Sequence, residues 1–238
     1  MLPSRIETVL FDAGGTLVTL DYAFIADLGR RHGLALEEAA LPAAEGLARV
    51  MLDRAIRDAR EDPGSDGARR PRYFATMLAA LGLAGARLEG LLEELERAHR
   101  QANLWRRPQP GALETLRALA GRGVRLAVVS NADGRVEAVL RRLGLAAHLE
   151  LIVDSHHEGV EKPDPEIFRR ALSRLGVGPE RAVYVGDIYA IDALGARAAG
   201  LAPIILDSTG SFGELDCAKI AALGELLDSV AAPQRGEP

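Results

Sequence analysis

The chain has 238 residues, 48% of them apolar and 26% charged, with a net charge of −5, the profile of a soluble globular protein able to bury a sizeable core. The mildly acidic balance gives no electrostatic basis for a nucleic-acid or anionic-membrane partner. No apolar run reaches the ~18 residues of a membrane span, and the N-terminus lacks a signal pattern.

In chain order, an apolar strand over 6–11 runs into the glycine-rich turn Asp12-Ala13-Gly14-Gly15-Thr16. From about 20 to 107 no strand pattern is evident, and helical spacing dominates: Tyr73, Phe74, Met77, Leu78 and Leu81, then Leu88, Leu91, Leu92 and Leu95. Trp105 to Gly111, with Pro108 and Pro110, reads as a returning linker. Further strands are expected over 124–129, 149–153, 182–186 and 203–206. Helices lie between them: Val136, Val139, Leu140 and Leu143 share one face, as do Ile167, Phe168, Ala171, Leu172 and Leu175. Asp164-Pro165 supplies an N-cap and first-turn proline, and Gly144 and Gly176 close two helices. This alternation predicts an α/β protein with a Rossmann-like parallel sheet flanked by helices. The expected division is a discontinuous core of residues 1–19 and 108–230, an inserted all-helical domain over 20–107, and a loose tail over 231–238. The one cysteine, Cys217, excludes an internal disulfide and fits a reducing, cytoplasmic setting.

Four short segments carry chemistry. Asp12 stands at the end of the first strand, a position suited to a nucleophile. Ser130 and Asn131 end a second strand with a hydroxyl and an amide able to bind phosphoryl or carboxylate oxygens. Lys162 is a cation just before a helix start. Asp187 ends a third strand, and Asp192 follows five residues on. In a parallel sheet these strand ends converge on one edge, so the groups can share a crevice.

The order and spacing of these segments, with a helical insert between the first and second, resembles the haloacid dehalogenase-like superfamily with a C1-type cap over nearly the whole chain. The resemblance implies that Asp12 attacks phosphorus and forms an aspartyl-phosphate. It implies magnesium (Mg2+) held by Asp12, the Gly14 carbonyl and Asp187, with Asp192 as ligand or supporting partner. Lys162 would neutralise the nucleophile and the phosphoryl group, Ser130 and Asn131 would bind phosphate oxygens, and Thr16 would orient the loop. The implied partner is a small phosphorylated metabolite, and both monomer and homodimer stay open.

One position departs from the phosphatase pattern. Where those enzymes carry an acid–base aspartate two residues after the nucleophile, this chain has Gly14. Loss of a general acid typically slows turnover by about 10²–10⁴-fold. Three other readings follow. A phosphate- and Mg2+-binding regulatory protein with negligible turnover fits Gly14. A 2-haloacid dehalogenase also lacks the second aspartate, but has no acidic residue at the place of Asp187 and has tyrosine where Phe168 stands here. A phosphonoacetaldehyde hydrolase needs a cap lysine, and the two lysines, Lys162 and Lys219, lie outside the insert. His156 and His157 are loop histidines near Lys162, and Arg69, Arg70 and Arg72 in the insert either meet an anionic substrate or form a solvated charged surface.

Overall fold

The computed structural model describes residues 2–3, 5–58 and 65–230, so the expected tail over 231–238 lies outside the described residues. Eight strands occur among them: β1 (Thr8–Phe11), β2 (Val18–Leu20), β3 (Trp105–Pro108), β4 (Arg125–Ser130), β5 (Leu151–Asp154), β6 (Ala182–Gly186), β7 (Ala202–Leu206) and β8 (Ala218–Ile220). Six form one sheet in the order β5-β4-β1-β6-β7-β8, and every pairing in it is parallel. β1, β4 and β6 are near-continuous Val, Leu and Ala runs, buried as strands covered on both faces must be. Phe11 is level with Val128 on one side and Val185 on the other. That register brings Asp12, Ser130 and Asp187 to neighbouring strand ends, on either side of the central strand where the connections change direction.

Among the described residues four α-helices lie between β2 and β3: α1 (Tyr22–Arg31), α2 (Leu41–Asp58), α3 (Asp66–Ala80) and α4 (Gly85–Gln101). They share an apolar cluster of their own that includes Ile25, Leu41, Phe74, Met77, Leu91 and Leu95. In the rest of the chain α5 (Ala112–Gly121), α6 (Val136–Arg142), α7 (Ser155–Glu158) and α8 (Pro165–Leu175) cover the sheet. α8 starts as its sequence predicts: Asp164 accepts the Glu166 N–H, Pro165 occupies the first turn, and Gly176 ends the helix in the left-handed region at φ 61°.

The segment over Trp105–Gly111 differs from the expected linker. Its first four residues form β3, which pairs antiparallel with β2, Val18 opposite Pro108 and Leu20 opposite Trp105. This ribbon lies at the two crossings between sheet and helical insert. Two strands of three and four residues are too short to show alternation, and Pro108 sits at a ribbon end, where a missing N–H costs no ladder bond. β8, a three-residue edge strand, carried no sequence signal for the same reason.

Candidate active site

The turn after β1 is closed by backbone bonds from Leu17 and Val18 N–H to the Ala13 carbonyl (2.9 and 2.8 Å) and from Gly15 N–H to Val18 (2.7 Å). Gly15 has φ 76°, and a Cβ there would run into the Asp187 carboxylate. Glycine is therefore required for both conformation and close approach. Thr16 is fully buried in this turn, its hydroxyl without a hydrogen-bond partner.

Asp12, Lys162, Asp187 and Asp192 converge, all less than a tenth exposed. Lys162 Nζ lies 2.9 Å from Asp12 Oδ1 and 2.7 Å from Asp192 Oδ1, and 2.8 Å from the Tyr184 hydroxyl. Burial opposes the charge on Lys162, but the carboxylates of Asp12 and Asp192 outweigh it and hold its pKa above the usual lysine range. Burial raises the Asp12 pKa, and Lys162 together with a hydrogen bond from Ser130 partly offsets this. Asp187 is raised well above the carboxylate range, by burial first, with Arg49 opposing and Asp192 and Asp12 adding to the shift.

Two predicted residues have their polar atoms engaged within the protein. Asn131 accepts the Lys162 N–H at 2.7 Å and donates to the Lys162 carbonyl at 2.9 Å, so its amide clamps the backbone that carries the lysine. Asp192 Oδ2 accepts the Asp187 and Ile188 N–H groups at 3.0 and 2.9 Å. A π-helical turn over Tyr189–Ala193 accommodates the five-residue spacing and swings Asp192 back under the strand end.

The site also contains charge from the insert. Arg49 of α2, 4% exposed, places Nε 2.6 Å from Asp187 Oδ2 and Nη2 3.5 Å from Glu45. Glu45 in turn accepts hydrogen bonds from Tyr22 and Tyr73. One turn further, Asp53 accepts the Ala190 N–H at 2.6 Å. Glu45, Arg49 and Asp53 lie at i, i+4 and i+8, one face of α2 turned to the sheet edge. α2 comes close because of Gly46, where a Cβ would collide with the Thr209 and Ser211 hydroxyls. Sequence reasoning missed this stripe; its signal was three alternating charges at four-residue spacing in a helix rich in Ala and Leu.

A cavity of about 340 Å³ lies between the sheet edge and the insert, lined below by Asp12, Ser130 and Lys162 and above by Arg69, Tyr73 and Trp105, within the small-ligand range. His156 and His157 lie on the short helix α7 and not in the expected loop; exposed His156 is at the cavity edge, and His157 is exposed and not among the lining residues. At Gly14 a Cβ would meet the Trp105 ring at 3.4 Å, so indole stands beside the place where a longer side chain would project.

Oxygen atoms of Asp12, Asp187 and Asp192 lie within 4.8 Å of one another. Three carboxylates here face two cations, Lys162 and Arg49, and Asp187 already draws a guanidinium to itself. Hard oxygen donors with surplus negative charge fit a divalent cation such as Mg2+.

The sequence matches the model of the haloacid dehalogenase-like hydrolase family over residues 6–200. It is 31% identical over 204 residues to human "Haloacid dehalogenase-like hydrolase domain-containing protein 3", covering 83% of this chain and 80% of that protein. The match to the mouse counterpart, 47% over 91 residues, spans only 36% of that protein. "Glyceraldehyde 3-phosphate phosphatase" of Methanopyrus kandleri is 34% identical over 201 residues, 84% of this chain and 83% of the relative. Among solved structures, the HAD-hydrolase YfnB of Bacillus subtilis, described as bound to magnesium, shares the fold with a TM-score of 0.67, 21% identity, and coverage of 95% and 99% of the two chains. The chain belongs to the haloacid dehalogenase-like hydrolase family and is a hydrolase.

Proposed function

We propose that this protein is a Mg2+-dependent phosphatase of small phosphorylated metabolites, acting through an aspartyl-phosphate at Asp12 in the cytoplasm. The observation that carries the reading is the buried cluster in which Asp187 faces Asp12 while Lys162 neutralises Asp12 and Asp192. A site that only displaced halide would have no use for Asp187, and Lys162 and Arg49 leave one negative charge of the three buried carboxylates uncompensated, a surplus that a divalent cation would offset. The phosphatase-named relative agrees with this.

In the proposed reaction an Asp12 oxygen attacks phosphorus, the P–O bond to the leaving group breaks, and water later cleaves the acyl phosphate to release phosphate. Lys162 and the Ser130 hydroxyl balance the charge of the transferred group. Bound Mg2+, held by Asp12, Asp187 and the Gly14 carbonyl, would screen the repulsion between nucleophile and dianion. Asp192 acts through its partners, orienting Lys162 and the Asp187 loop. Asn131 fixes Lys162, and Thr16 packs the turn. The helices over 20–107 serve as the cap, closing the cavity over the sheet edge.

Gly14 supports a second reading, in which the site binds phosphate and Mg2+ with negligible turnover, because indole and not a carboxylate stands beside it. A panel of aryl, acyl and alkyl phosphates with and without Mg2+ separates the two. The phosphatase reading expects Mg2+-stimulated release of phosphate, fastest from esters with good leaving groups. Mg2+-dependent phosphate binding without release supports the second, and neither would sink both.

A further inference from the structure

Of the three arginines of α3, Arg69, Arg70 and Arg72, one differs from the others in the state of its guanidinium. Arg72 is exposed. Arg70 is satisfied within the insert, its Nε and Nη2 donating to the two Glu96 carboxylate oxygens at 3.3 and 3.1 Å. Arg69, on the same helix α3, is 6% exposed and lines the cavity that holds Asp12, Ser130 and Lys162. Its Nε and Nη2 are buried without a hydrogen-bond partner.

Two desolvated donors that lack acceptors are expensive even where the charge has an ion-pair partner. Nε and Nη2 form one edge of the guanidinium, and two parallel N–H groups on that edge match the two oxygens of a carboxylate. Arg70 shows this fit with Glu96. Glu161 forms a long ion pair with Arg69, its Oε2 3.6 Å from Nη2, which meets part of the charge but leaves that donor edge without an acceptor in hydrogen-bond range. Glu161 precedes Lys162 in the chain, so Arg69 stands over the segment that carries the catalytic lysine.

We infer that Arg69 is a specificity-determining residue that receives a carboxylate on the substrate, so that the preferred substrates are small phosphomonoesters bearing a carboxylate. The inference rests on the phosphate site proposed above. It favours a carboxylate over a second phosphate because the neighbouring Glu161 charge repels a dianion more than a monoanion, and the cavity of about 340 Å³ restricts both to small molecules.

The test reads binding, not turnover, so it stands apart from the question of catalysis. Calorimetry with Mg2+ present compares phosphonoacetate, 3-phosphonopropionate and 4-phosphonobutyrate with ethyl-, propyl- and butylphosphonate, the length series covering the span from Asp12 to Arg69. In wild type at least one acid is expected to bind about tenfold or more tightly than its alkyl match, the size of a charge-assisted fork. Arg69→Gln should remove that gap while the alkylphosphonates still bind. Arg69→Lys, which keeps the charge and loses the fork, should retain less than half of it on a logarithmic scale. The inference is overturned if no acid outperforms its match, if the gap survives Arg69→Gln, or if no phosphonate binds at all. Should Arg69→Gln fail to fold by circular dichroism, the lysine variant decides: a reduced gap supports the inference and an unchanged gap ends it. Absent hydrolysis of every phosphate ester alongside an intact gap would remove the phosphatase reading and leave Arg69 as an anion receptor.

Discussion

The two sides of the site hold their charges for different reasons. On the sheet side, Asp12, Ser130 and Asp187 stand at the ends of three adjacent parallel strands, and pairing register alone sets them side by side. On the helical side, Glu45, Arg49 and Arg69 are placed by the packing of α2 and α3 over that edge, with nothing in a sheet to index them. The sheet side thus carries the proposed nucleophile, Asp12, with Lys162 as its counter-charge. The helical side carries groups that depend on how the insert docks. It follows that substitutions at the sheet edge should strike chemistry first, and those in the insert should strike docking, metal response and choice of substrate.

The largest expected effect tests the sheet side. Asp12→Asn removes the attacking oxygen and should abolish Mg2+-dependent phosphate release, a loss of about 10⁴-fold or more. The carboxamide should not raise instability much, since burial already disfavours the Asp12 charge. Steady-state assay with a good leaving group reads the first expectation and urea denaturation the second. Residual turnover near wild type would mean that attack comes from another group, and the division between sides would fail.

On the helical side, Arg49→Met leaves Asp187 and Glu45 buried without their guanidinium. Breaking a buried ion pair in this way typically costs about 3–5 kcal/mol. The metal-free variant should therefore melt well below wild type, and Mg2+ should raise its melting temperature more than that of wild type, because a cation then replaces the one removed. Differential scanning fluorimetry with and without Mg2+ measures both. Equal Mg2+ responses would show that Mg2+ and the Arg49 guanidinium do not substitute for one another at Asp187.

How much of this was readable in advance follows the same division. Asp12, Ser130 and Asp187 were legible because strands of Val, Leu and Ala end in a polar residue in the alternation of a parallel sheet, and Lys162 because it precedes the Asp164-Pro165 helix start in a motif order that resembles the family. The parallel strands over 182–186 and 203–206 were legible for the same reason, the second to within one residue of Ala202–Leu206. The β2–β3 ribbon was not, since a few residues give no period. The engagement of Asp192 with Lys162 and two backbone amides was hidden because a π-helical turn leaves no mark on hydrophobic spacing. Arg49 was hidden more deeply. A charged residue on a helix is by default a solvated one, and its burial depends on Gly46 meeting Thr209 and Ser211, more than a hundred residues away in the chain.

Gly14→Asp probes the seam between the two sides. The backbone at Gly14 is open to any L residue, and the new Cβ would sit 3.4 Å from the Trp105 ring, an ordinary contact. A carboxylate there restores a general acid, so turnover of esters with poor leaving groups should rise by about 10²-fold, and that of activated esters much less. A uniform rise across leaving groups would point to altered binding. No change at all would mean that Trp105 holds the new side chain away from the leaving group, which Trp105→Phe in the same background would relieve.

The smallest effect concerns the joint between the two sides. Asp21 caps α1 by accepting the Phe24 N–H at 3.3 Å and pairs with Arg106 and Arg107 of β3 at 2.9 and 3.1 Å. Burial opposes its charge, but the hydrogen bonds from the two arginines outweigh it and hold its pKa below the ordinary 3.8. Asn at this position keeps the cap and removes the charge, so Asp21→Asn should cost about 1 kcal/mol at neutral pH. A carboxylate with a depressed folded-state pKa contributes its full stability above the unfolded value and loses it as pH falls through the folded one. The gap between wild type and variant should therefore be constant down to about pH 5 and close below about pH 4. Urea titrations across that range measure it. A gap that persists at low pH would assign the role of Asp21 to its helix cap and not to the arginines that tie the insert to the sheet.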